Sequence, residues 1–159
     1  MRIQVLSDSH GNKRNFCSAV AQQPKAEVVI FLGDGFRDLD YVCEKYSQKA
    51  FISVKGNCDI GSNFNSSETI TLYEKRIYIT HGYTEQVKGG ISLLESMARS
   101  KNCQIALFGH THETYKAYRD GIYFLNPGSI HLSRNEGNPT YGIIDITPQG
   151  IVTNTVILK

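Results

Sequence analysis

The 159-residue sequence has no tryptophan, only two methionines and four prolines, and little imbalance between acidic and basic residues. Its formal net charge of +2 is too small to indicate nucleic acid or an anionic membrane as the main partner. No apolar run approaches the roughly 18 residues that a membrane-spanning helix needs. Because no apolar signal-peptide core follows Met1-Arg2, we expect a cytoplasmic protein.

Cysteine is also sparse, and no two of the cysteines have the CxxC spacing of a zinc finger or a thioredoxin motif. Since the sequence shows no export signal, we expect these thiols to stay reduced. The length and the 40% content of hydrophobic residues suit a soluble protein with one core. We therefore expect a single domain over residues 1–159.

The first third of the chain alternates short apolar runs with longer amphipathic ones. Strands are predicted at Arg2–Leu6, Glu27–Leu32 and Ala50–Val54, and helices at Asn12–Gln22 and Arg37–Tyr46. This βαβαβ order predicts a parallel sheet with right-handed crossovers.

The rest of the chain changes pattern after a polar stretch, Gly61–Ser67, that is predicted to be a loop. A hairpin turning at Glu74-Lys75, a helix opened by Gly89-Gly90 and several further strands follow. The predicted strands are Thr69–Tyr73, Arg76–Thr80, Gln104–Phe108, 114–119, 121–125, 140–146 and 151–158, and the helix is Lys88–Ser100. The pattern favours an α/β fold with two sheets packed face to face and helices outside.

Five of the apolar strands end in side chains that can bind a metal ion. These polar ends are Ser7–His10, Gly33-Asp34, Gly56–Asp59, His81-Gly82 and Gly109–His112. In open α/β sheets, ligands bind at the carboxyl ends of the strands, so we expect these side chains to converge.

Each polar end also has a purely structural explanation. Asp8 could cap a helix, Asp34 and Asn57 could be turn residues, and His81 could be a hydrogen-bonded core histidine. Four of the five histidines, however, fall at strand ends in motifs that contain glycine, which lets backbone and ligands crowd round a small centre. The separate explanations do not account for that pattern.

Seven side chains make up the predicted ligand set: Asp8, His10, Asp34, Asn57, His81, His110 and His112. The mixture of imidazoles, carboxylates and an amide suits zinc, manganese, iron, cobalt or nickel and is too rich in nitrogen for calcium. Seven groups are too many for one tetrahedral zinc ion. They fit two metal ions, about 3.5–4 Å apart, that share one carboxylate.

The motifs D-x-H, GD, GN-x-D, H-G and GHTH, in this order, resemble those of the calcineurin-like metallophosphoesterase superfamily. The short length and the form GNCD are similar to its small bacterial and archaeal phosphodiesterase branch. The resemblance implies a four-layer αββα sandwich of two mixed sheets flanked by helices. It also implies two divalent metal ions, with manganese the first choice and iron, zinc, nickel or cobalt as alternatives.

The activity implied by the resemblance is hydrolysis of small phosphate esters, above all phosphodiesters, by in-line attack of a metal-bridging hydroxide. One metal ion would take Asp8, His10, Asp34 and His112. Asp34 would bridge to the second ion, which would also take Asn57, His81 and His110. Asp34, Asn57 and His81 would be catalytic, Cys58 stands at a position that is catalytic in the superfamily, and no covalent intermediate would form. Asn57 would also contact substrate.

Cys58 departs from the pattern, because most members of the superfamily carry a histidine there that helps catalysis. A thiol is a weak hydrogen-bond donor and a poor substitute for an imidazolium. We interpret Cys58 as a bystander; the alternative is an additional metal ligand.

The segment Asn126–Ser129 is a turn by composition, and the branch often carries a similar NPGS segment near its site. Its backbone N–H groups could help bind phosphate, and Arg134 could steer the substrate. The alternative is that these residues and His131 have surface roles only.

A different class of function has a precedent in the retromer subunit of this fold, a non-catalytic scaffold that binds proteins. Such scaffolds tend to lose ligands, whereas this chain keeps all seven, which favours the enzyme. A nuclease for large substrates is disfavoured by the balanced charge and the lack of a capping insertion. Members of the branch often form dimers or tetramers, so a homo-oligomer is expected.

Overall fold

The structure, a computed structural model, describes residues 1–159 and contains ten strands and three α-helices. In chain order they are β1 (Arg2–Leu6), α1 (Lys13–Gln22), β2 (Val28–Phe31), α2 (Phe36–Lys45), β3 (Ala50–Ser53), β4 (Ser67–Leu72), β5 (Lys75–Thr80), α3 (Ser92–Ser100), β6 (Ile105–Leu107), β7 (Thr114–Arg119), β8 (Ile122–Pro127), β9 (Thr140–Thr147) and β10 (Gly150–Ile157). No helix is long and apolar enough to cross a lipid bilayer.

The strands form two five-stranded mixed sheets. The first has the order β10-β9-β1-β2-β3, in which β1, β2 and β3 are parallel, as the βαβαβ pattern predicted. The second has the order β4-β5-β6-β8-β7, with β5, β6 and β8 parallel and β4 and β7 antiparallel at its edges. The predicted fold class is therefore confirmed.

A shared apolar core holds the two sheets face to face. Ile3, Val5 and Ile30 from the first sheet pack with Ile79 and Leu107 from the second, and all five are fully buried. Helices α1 and α2 cover the outer face of the first sheet, and α3 covers the second through two further clusters. The helices cover the outer faces of the sheets and not the carboxyl ends of the parallel strands, so the loops that follow these strands lie together there.

The hairpin turn lies one residue earlier than predicted. Leu72 pairs with Lys75, so the two turn residues are Tyr73 and Glu74 and not Glu74-Lys75. Both have positive φ, 50° and 62°, as a two-residue turn that follows the strand twist requires. Strand β4 also begins inside the predicted loop, at Ser67.

The third helix begins later than predicted. Val87–Gly89 forms a 3-10 turn, and α3 starts only at Ser92, not at Lys88. The reason is Gly90, whose φ of 126° lies outside the helical region. Gly89 ends the 3-10 turn and Gly90 follows it, so the glycine pair does not open the helix.

Candidate metal centre

The structure brings all seven predicted ligands to one place, where the carboxyl ends of parallel strands from both sheets meet. Asp8 and His10 follow β1, Asp34 follows β2, and Asn57 follows β3. His81 follows β5 in the second sheet, and His110 and His112 follow β6. Residues about a hundred positions apart in sequence thus become neighbours.

One group of ligands gathers around Asp8. His112 Nε2 lies 3.1 Å from Asp8 Oδ1, and His10 Nε2 lies 3.6 Å from the same oxygen. The two imidazole nitrogens are 3.1 Å apart. Ligand atoms of these three residues lie within 4.8 Å of one another, close enough to share one metal ion.

A second group gathers around Asp34 and His81. His81 Nε2 lies 3.4 Å from Asp34 Oδ2, 3.1 Å from Asn57 Oδ1 and 3.2 Å from His110 Nδ1. Asp34 Oδ2 is also 3.8 Å from His10 Nε2 in the first group. Asp34 therefore stands between the two groups.

The ring of His81 is oriented by the main chain of the other sheet. Its Nδ1 lies 2.7 Å from the carbonyl oxygen of Leu32, which accepts the hydrogen bond. In the neutral ring this leaves the Nε2 lone pair directed at Asn57 and Asp34, as in a metal-binding histidine.

Asp8 provides the test of whether these residues suit a cation. Asp8 is fully buried, and its Oδ1 has no hydrogen-bond partner, because the two nearby imidazoles lack hydrogen-bond geometry towards it. A buried carboxylate oxygen without a partner is costly. Carboxylate oxygens and ring nitrogens with lone pairs meeting at this place match the donor set of a divalent transition metal ion, so the residues fit such an ion.

The side-chain charges in the centre shift one another's pKa values. Burial raises the pKa of Asp8, but the contacts with His10 and His112 outweigh it, and the net shift is downward. Burial lowers the pKa of His81, but Asp34 and Asp8 outweigh it, and the net shift is upward. Burial and the neighbouring His81 lower the pKa of His110 to about 4, so this imidazole is neutral and able to ligate at neutral pH.

The backbone at the centre is unusual. Ten non-glycine residues have positive φ, and five of them are predicted ligands: Asp8 (57°), His10 (44°), Asp34 (60°), His110 (67°) and His112 (59°). Such conformations cost of order 1–3 kcal/mol each and concentrate at functional sites.

Glycines supply the space that the ligands occupy. A Cβ on Gly56 would lie 2.0 Å from Asp34 Oδ1, and one on Gly109 would lie 2.0 Å from Ser7 Oγ and 3.0 Å from Asp8 Oδ2. The backbone therefore approaches predicted ligands closely at Gly56 and Gly109, whereas a Cβ on Gly11, beside His10, would meet nothing within 4 Å.

The sequence reasoning missed the role of Asp59. Its carboxylate is buried and accepts backbone N–H bonds from Asp34 (2.7 Å), Gly35 (2.8 Å), Phe36 (3.1 Å) and Gly56 (2.8 Å). These bonds fasten the loop after β3 to the loop after β2. The only sequence signal was its place in the GNCD motif.

A second missed carboxylate, Asp38, fixes the loop after β1. Its Oδ2 accepts hydrogen bonds from Ser9 Oγ (2.6 Å) and the Gly11 backbone (2.8 Å). Asp38 lies in the first turn of α2 and is buried. Asn12, and not Asp8, caps α1, since its side chain accepts a bond from the Asn15 N–H.

Cys58 lies at the surface of the centre. Its backbone N–H donates to Asp34 Oδ1 (2.8 Å), and its Sγ lies 3.3 Å from Asn57 Nδ2. Burial and the Asp34 carboxylate raise the pKa of the thiol to about 11, so the thiol is protonated at neutral pH. The Sγ is nevertheless near enough to His10 and Asp34 to join them around a cation, so the geometry leaves both interpretations open.

The NPGS segment is buried, and its side chains hydrogen-bond to the main chain of neighbouring segments. Asn126 and Ser129 are fully buried; Asn126 Nδ2 donates to the Gly109 carbonyl (2.9 Å) and Ser129 Oγ to the Asp8 carbonyl (2.9 Å). The N–H groups of Gly128 and Ile130 bond to Asn126 Oδ1 and the Ser7 carbonyl. These two N–H groups are therefore not free for phosphate.

Arg134 and His131 lie beside the centre. The Arg134 N–H bonds to the His112 carbonyl (2.7 Å), while its guanidinium is exposed and makes no hydrogen bond or ion pair. The exposed ring of His131 lies with its centroid 6.4 Å from that of His10.

Two open clefts flank the centre on either side of the loop that carries Cys58 and Ile60. One, of about 480 Å³, is lined by His10, Lys13 and Arg37 among others. The other, of about 390 Å³, is lined by Asn57, His81, Tyr83 and Lys55 among others. Ile60 lies on the rim of both and is 87% exposed.

Comparison with known proteins identifies the family. Residues 1–149 match the calcineurin-like phosphoesterase superfamily domain, and the chain belongs to this superfamily. It is 27% identical over 146 residues to the probable metallophosphoesterase YsnB of Bacillus subtilis, covering 92% of this chain and 85% of YsnB. It is 28% identical over 163 residues to the phosphodiesterase MJ0936 of Methanocaldococcus jannaschii, covering 91% and 93%.

Solved structures share the fold. A predicted phosphoesterase from Streptococcus pneumoniae superposes with a TM-score of 0.79 at 24% identity, covering 98% of this chain and 97% of the other. Vps29 from Entamoeba histolytica, in complex with zinc, gives a TM-score of 0.72 at 20% identity and full coverage of both chains. The resemblance that the five motifs indicated is thus confirmed at the level of family and fold.

Proposed function

We propose that this member of the superfamily is a phosphodiesterase that hydrolyses small phosphodiesters at a centre of two divalent metal ions. The observation that carries the proposal is the convergence of seven side chains able to bind a metal ion, one of which, the buried Asp8, has an Oδ1 without a hydrogen-bond partner. The relatives named as metallophosphoesterase and phosphodiesterase support the same reaction class.

The proposed ligand sets follow the two groups of contacts. Asp8, His10 and His112 hold one ion with Asp34, and Asp34 is shared with a second ion held by Asn57, His81 and His110. Asp34 is suited to bridge, since its Oδ2 is 3.4 Å from His81 Nε2 and 3.8 Å from His10 Nε2. Manganese is the metal we propose first, with iron, zinc, nickel or cobalt as alternatives.

Two such ions, when bound, supply a hydroxide nucleophile at neutral pH and neutralise charge on the phosphate. The chain itself positions the ligands: Leu32 orients His81, and Asp59 and the Cys58 N–H hold Asp34. The protonated Cys58 thiol is not a nucleophile, so we propose no covalent intermediate.

Substrate contacts are proposed from the rim of the centre. The Asn57 amide is exposed beside the second group of ligands, where it can orient a phosphate oxygen. The unpaired Arg134 guanidinium is proposed to attract the anionic ester. We propose a single domain over residues 1–159 acting in the cytoplasm, where the four free cysteines stay reduced.

The test is hydrolysis of bis(4-nitrophenyl) phosphate with measured metal content. Wild-type protein loaded with Mn²⁺ should hydrolyse this diester, and a chelator should stop the reaction. His81→Ala should lose bound metal and activity by at least about 10–100-fold, the loss seen when even supporting residues of a metal site are changed. His131→Ala is the matched control and should retain both.

The result also separates enzyme from scaffold. Hydrolysis is the deciding measurement, because metal binding alone does not show that a phosphate ester is cleaved. If metal-loaded wild-type protein hydrolyses neither monoesters nor diesters, the enzyme proposal is wrong and the non-catalytic, protein-binding alternative takes its place. If His81→Ala keeps its metal content, the ligand assignment is wrong.

A further inference from the structure

Strand β10 is an unusual sheet edge. Four strands lie at the edges of the two sheets, and β10 is the longest, with eight residues. The other edges carry or adjoin charges: Glu68 in β4, Lys116 and Arg119 in β7, and Lys49 next to the four-residue β3. No charged residue and no proline lies between Gly150 and Leu158.

Such an edge is normally protected, because its unpaired N–H and C=O groups can pair with another strand. Charges, proline and short length are the usual means of protection, and β10 itself carries none of them. The one charged side chain that bonds to it is Lys116 of β7, through Asn154 Oδ1. Strand β10 also exposes apolar side chains, with Val152 61% and Ile157 46% accessible. The edge is therefore suited to pair with a further strand.

The sequence of β10 indicates which strand. Residues 151–157 read IVTNTVI, the same in both directions, with Asn154 at the centre. In an antiparallel pair of two identical strands centred on Asn154, Ile151 faces Ile157 and Val152 faces Val156. Thr153 faces Thr155 in the same way. Each side chain thus lies opposite a residue of the same type across a two-fold axis.

We propose that β10 pairs with β10 of a second copy of this chain, antiparallel and centred on Asn154. The sheet β10-β9-β1-β2-β3 of one copy then continues into the same sheet of the second copy, which gives one ten-stranded sheet across a two-fold axis. Such an interface is isologous, the usual form in soluble homodimers.

The direction of the backbone groups agrees with this pairing. Strand β10 is already paired with β9 on one side, and Leu158 N–H continues that side by bonding to the Pro139 carbonyl (2.8 Å). Backbone groups alternate between the two sides of an antiparallel strand. Even-numbered residues therefore face β9, and residues 151, 153, 155 and 157 point their N–H and C=O groups outward. These outward N–H and C=O groups make no hydrogen bond to a loop or turn of the chain.

In the proposed register the outward groups match. Thr153 opposes Thr155 of the second copy as a hydrogen-bonded pair, and Ile151 opposes Ile157 in the same way. Asn154, whose backbone faces β9, forms the non-hydrogen-bonded pair on the axis, where opposing Cα atoms lie about 4.5 Å apart. β-branched and threonine pairs across strands are stabilising combinations.

One existing contact would be exchanged on pairing. Lys116 Nζ lies 3.3 Å from Asn154 Oδ1 in the single chain. In the dimer the two Asn154 side chains face each other and can hydrogen-bond together, which releases Lys116. Because strand pairing alone makes a small interface, we expect a dimer that dissociates on dilution.

The first experiment measures mass by sedimentation velocity over chain concentrations from about 1 mM to about 1 µM, the range in which small interfaces dissociate. Wild-type protein should change from twice the chain mass to the chain mass. Asn154→Lys and Asn154→Glu each place like charges opposite one another on the axis and should be monomeric. An equimolar mixture of the two variants should recover the dimer, because the charges are then opposite. Asn154 is exposed, so both variants should fold, as circular dichroism would check.

The second experiment traps the interface. Asn154→Cys should form an intermolecular disulfide under mild oxidation, since the expected Cα separation on the axis lies in the range that disulfides span. Thr71→Cys, exposed on the β4 edge, is the control, and it should cross-link no more than wild type. Wild-type protein that stays monomeric at about 1 mM would overturn the proposal. A dimer unaffected by Asn154→Lys, which would use another surface, would do so equally.

Discussion

Asp59→Asn is the change that most directly tests how the metal centre is built. The substitution keeps the size of the side chain and removes its charge and one acceptor oxygen. In the wild-type protein Oδ2 accepts from the Asp34 and Gly56 N–H groups, and Oδ1 accepts from those of Gly35 and Phe36. In either orientation of the amide, its NH₂ group faces two backbone donors that then have no acceptor.

The expected loss follows from these contacts. Leaving a buried donor without a partner costs about 1–3 kcal/mol, so two of them at partly buried positions give about 3 kcal/mol. This is a large fraction of the roughly 5–15 kcal/mol by which a protein of this size is stable. The melting temperature should fall by about 6–12 °C.

The measurement is urea unfolding in the presence of a chelator, so that bound metal does not contribute to stability. Asp40→Asn is the matched control, because Asp40 is exposed on helix α2 and its side chain makes no hydrogen bond. It removes the same charge and should change the free energy of unfolding by less than about 0.5 kcal/mol. If Asp59→Asn unfolds within about 1 kcal/mol of wild type, the four N–H bonds do not hold the loops as we infer. Metal affinity measured on the same variant should fall by about 10–100-fold, since Asp34 loses its support.

Two further predictions concern Cys58 and a surface ion pair. Cys58→His should raise diesterase activity, most for poor leaving groups, because general acid catalysis contributes about 10²–10⁴-fold. Cys58→Ser should change the activity little. A large loss of activity in Cys58→Ser with metal retained would show that the thiol itself takes part. Asp145→Asn breaks the bidentate pair with Arg2 (2.8 and 2.9 Å), whose hydrogen bond lowers the pKa of Asp145. Both side chains are about one-third exposed, so the loss at neutral pH should be below about 1 kcal/mol. The loss should vanish as the pH falls through the lowered pKa of Asp145, and a urea series at neutral and acid pH measures it.

Much of the fold could be predicted because its strands are strongly apolar and its turns carry clear signals. The βαβαβ order and the strand-rich second half follow from periodicity alone. The errors lie at element boundaries that depend on the backbone angle φ. The turn at Tyr73-Glu74 uses two non-glycine residues at positive φ, and Gly90, also at positive φ, interrupts a helical pattern. Neither conformation is visible in side-chain periodicity.

The candidate site divides in a similar way. The convergence of the seven side chains could be predicted, because each of them follows the carboxyl end of a strand and these strand ends meet at one place. The supporting residues could not, since Asp59 and Asp38 accept hydrogen bonds from backbone N–H groups and, for Asp38, from Ser9 Oγ, and the sequence does not show these contacts. Asn126 and Ser129 looked like turn residues, although both are buried and hold the main chain of other segments.

The left-handed backbone at five of the predicted ligands has an evolutionary consequence. At about 1–3 kcal/mol for each residue, these conformations together cost an amount comparable to the whole stability of a typical domain. The fold therefore carries a permanent trade-off between stability and activity. A descendant that gave up hydrolysis could replace His10 or His112 by glycine or asparagine and gain stability at once, because those residues tolerate positive φ. Retention of aspartate and histidine at all five positions is what continued selection for the metal centre would produce.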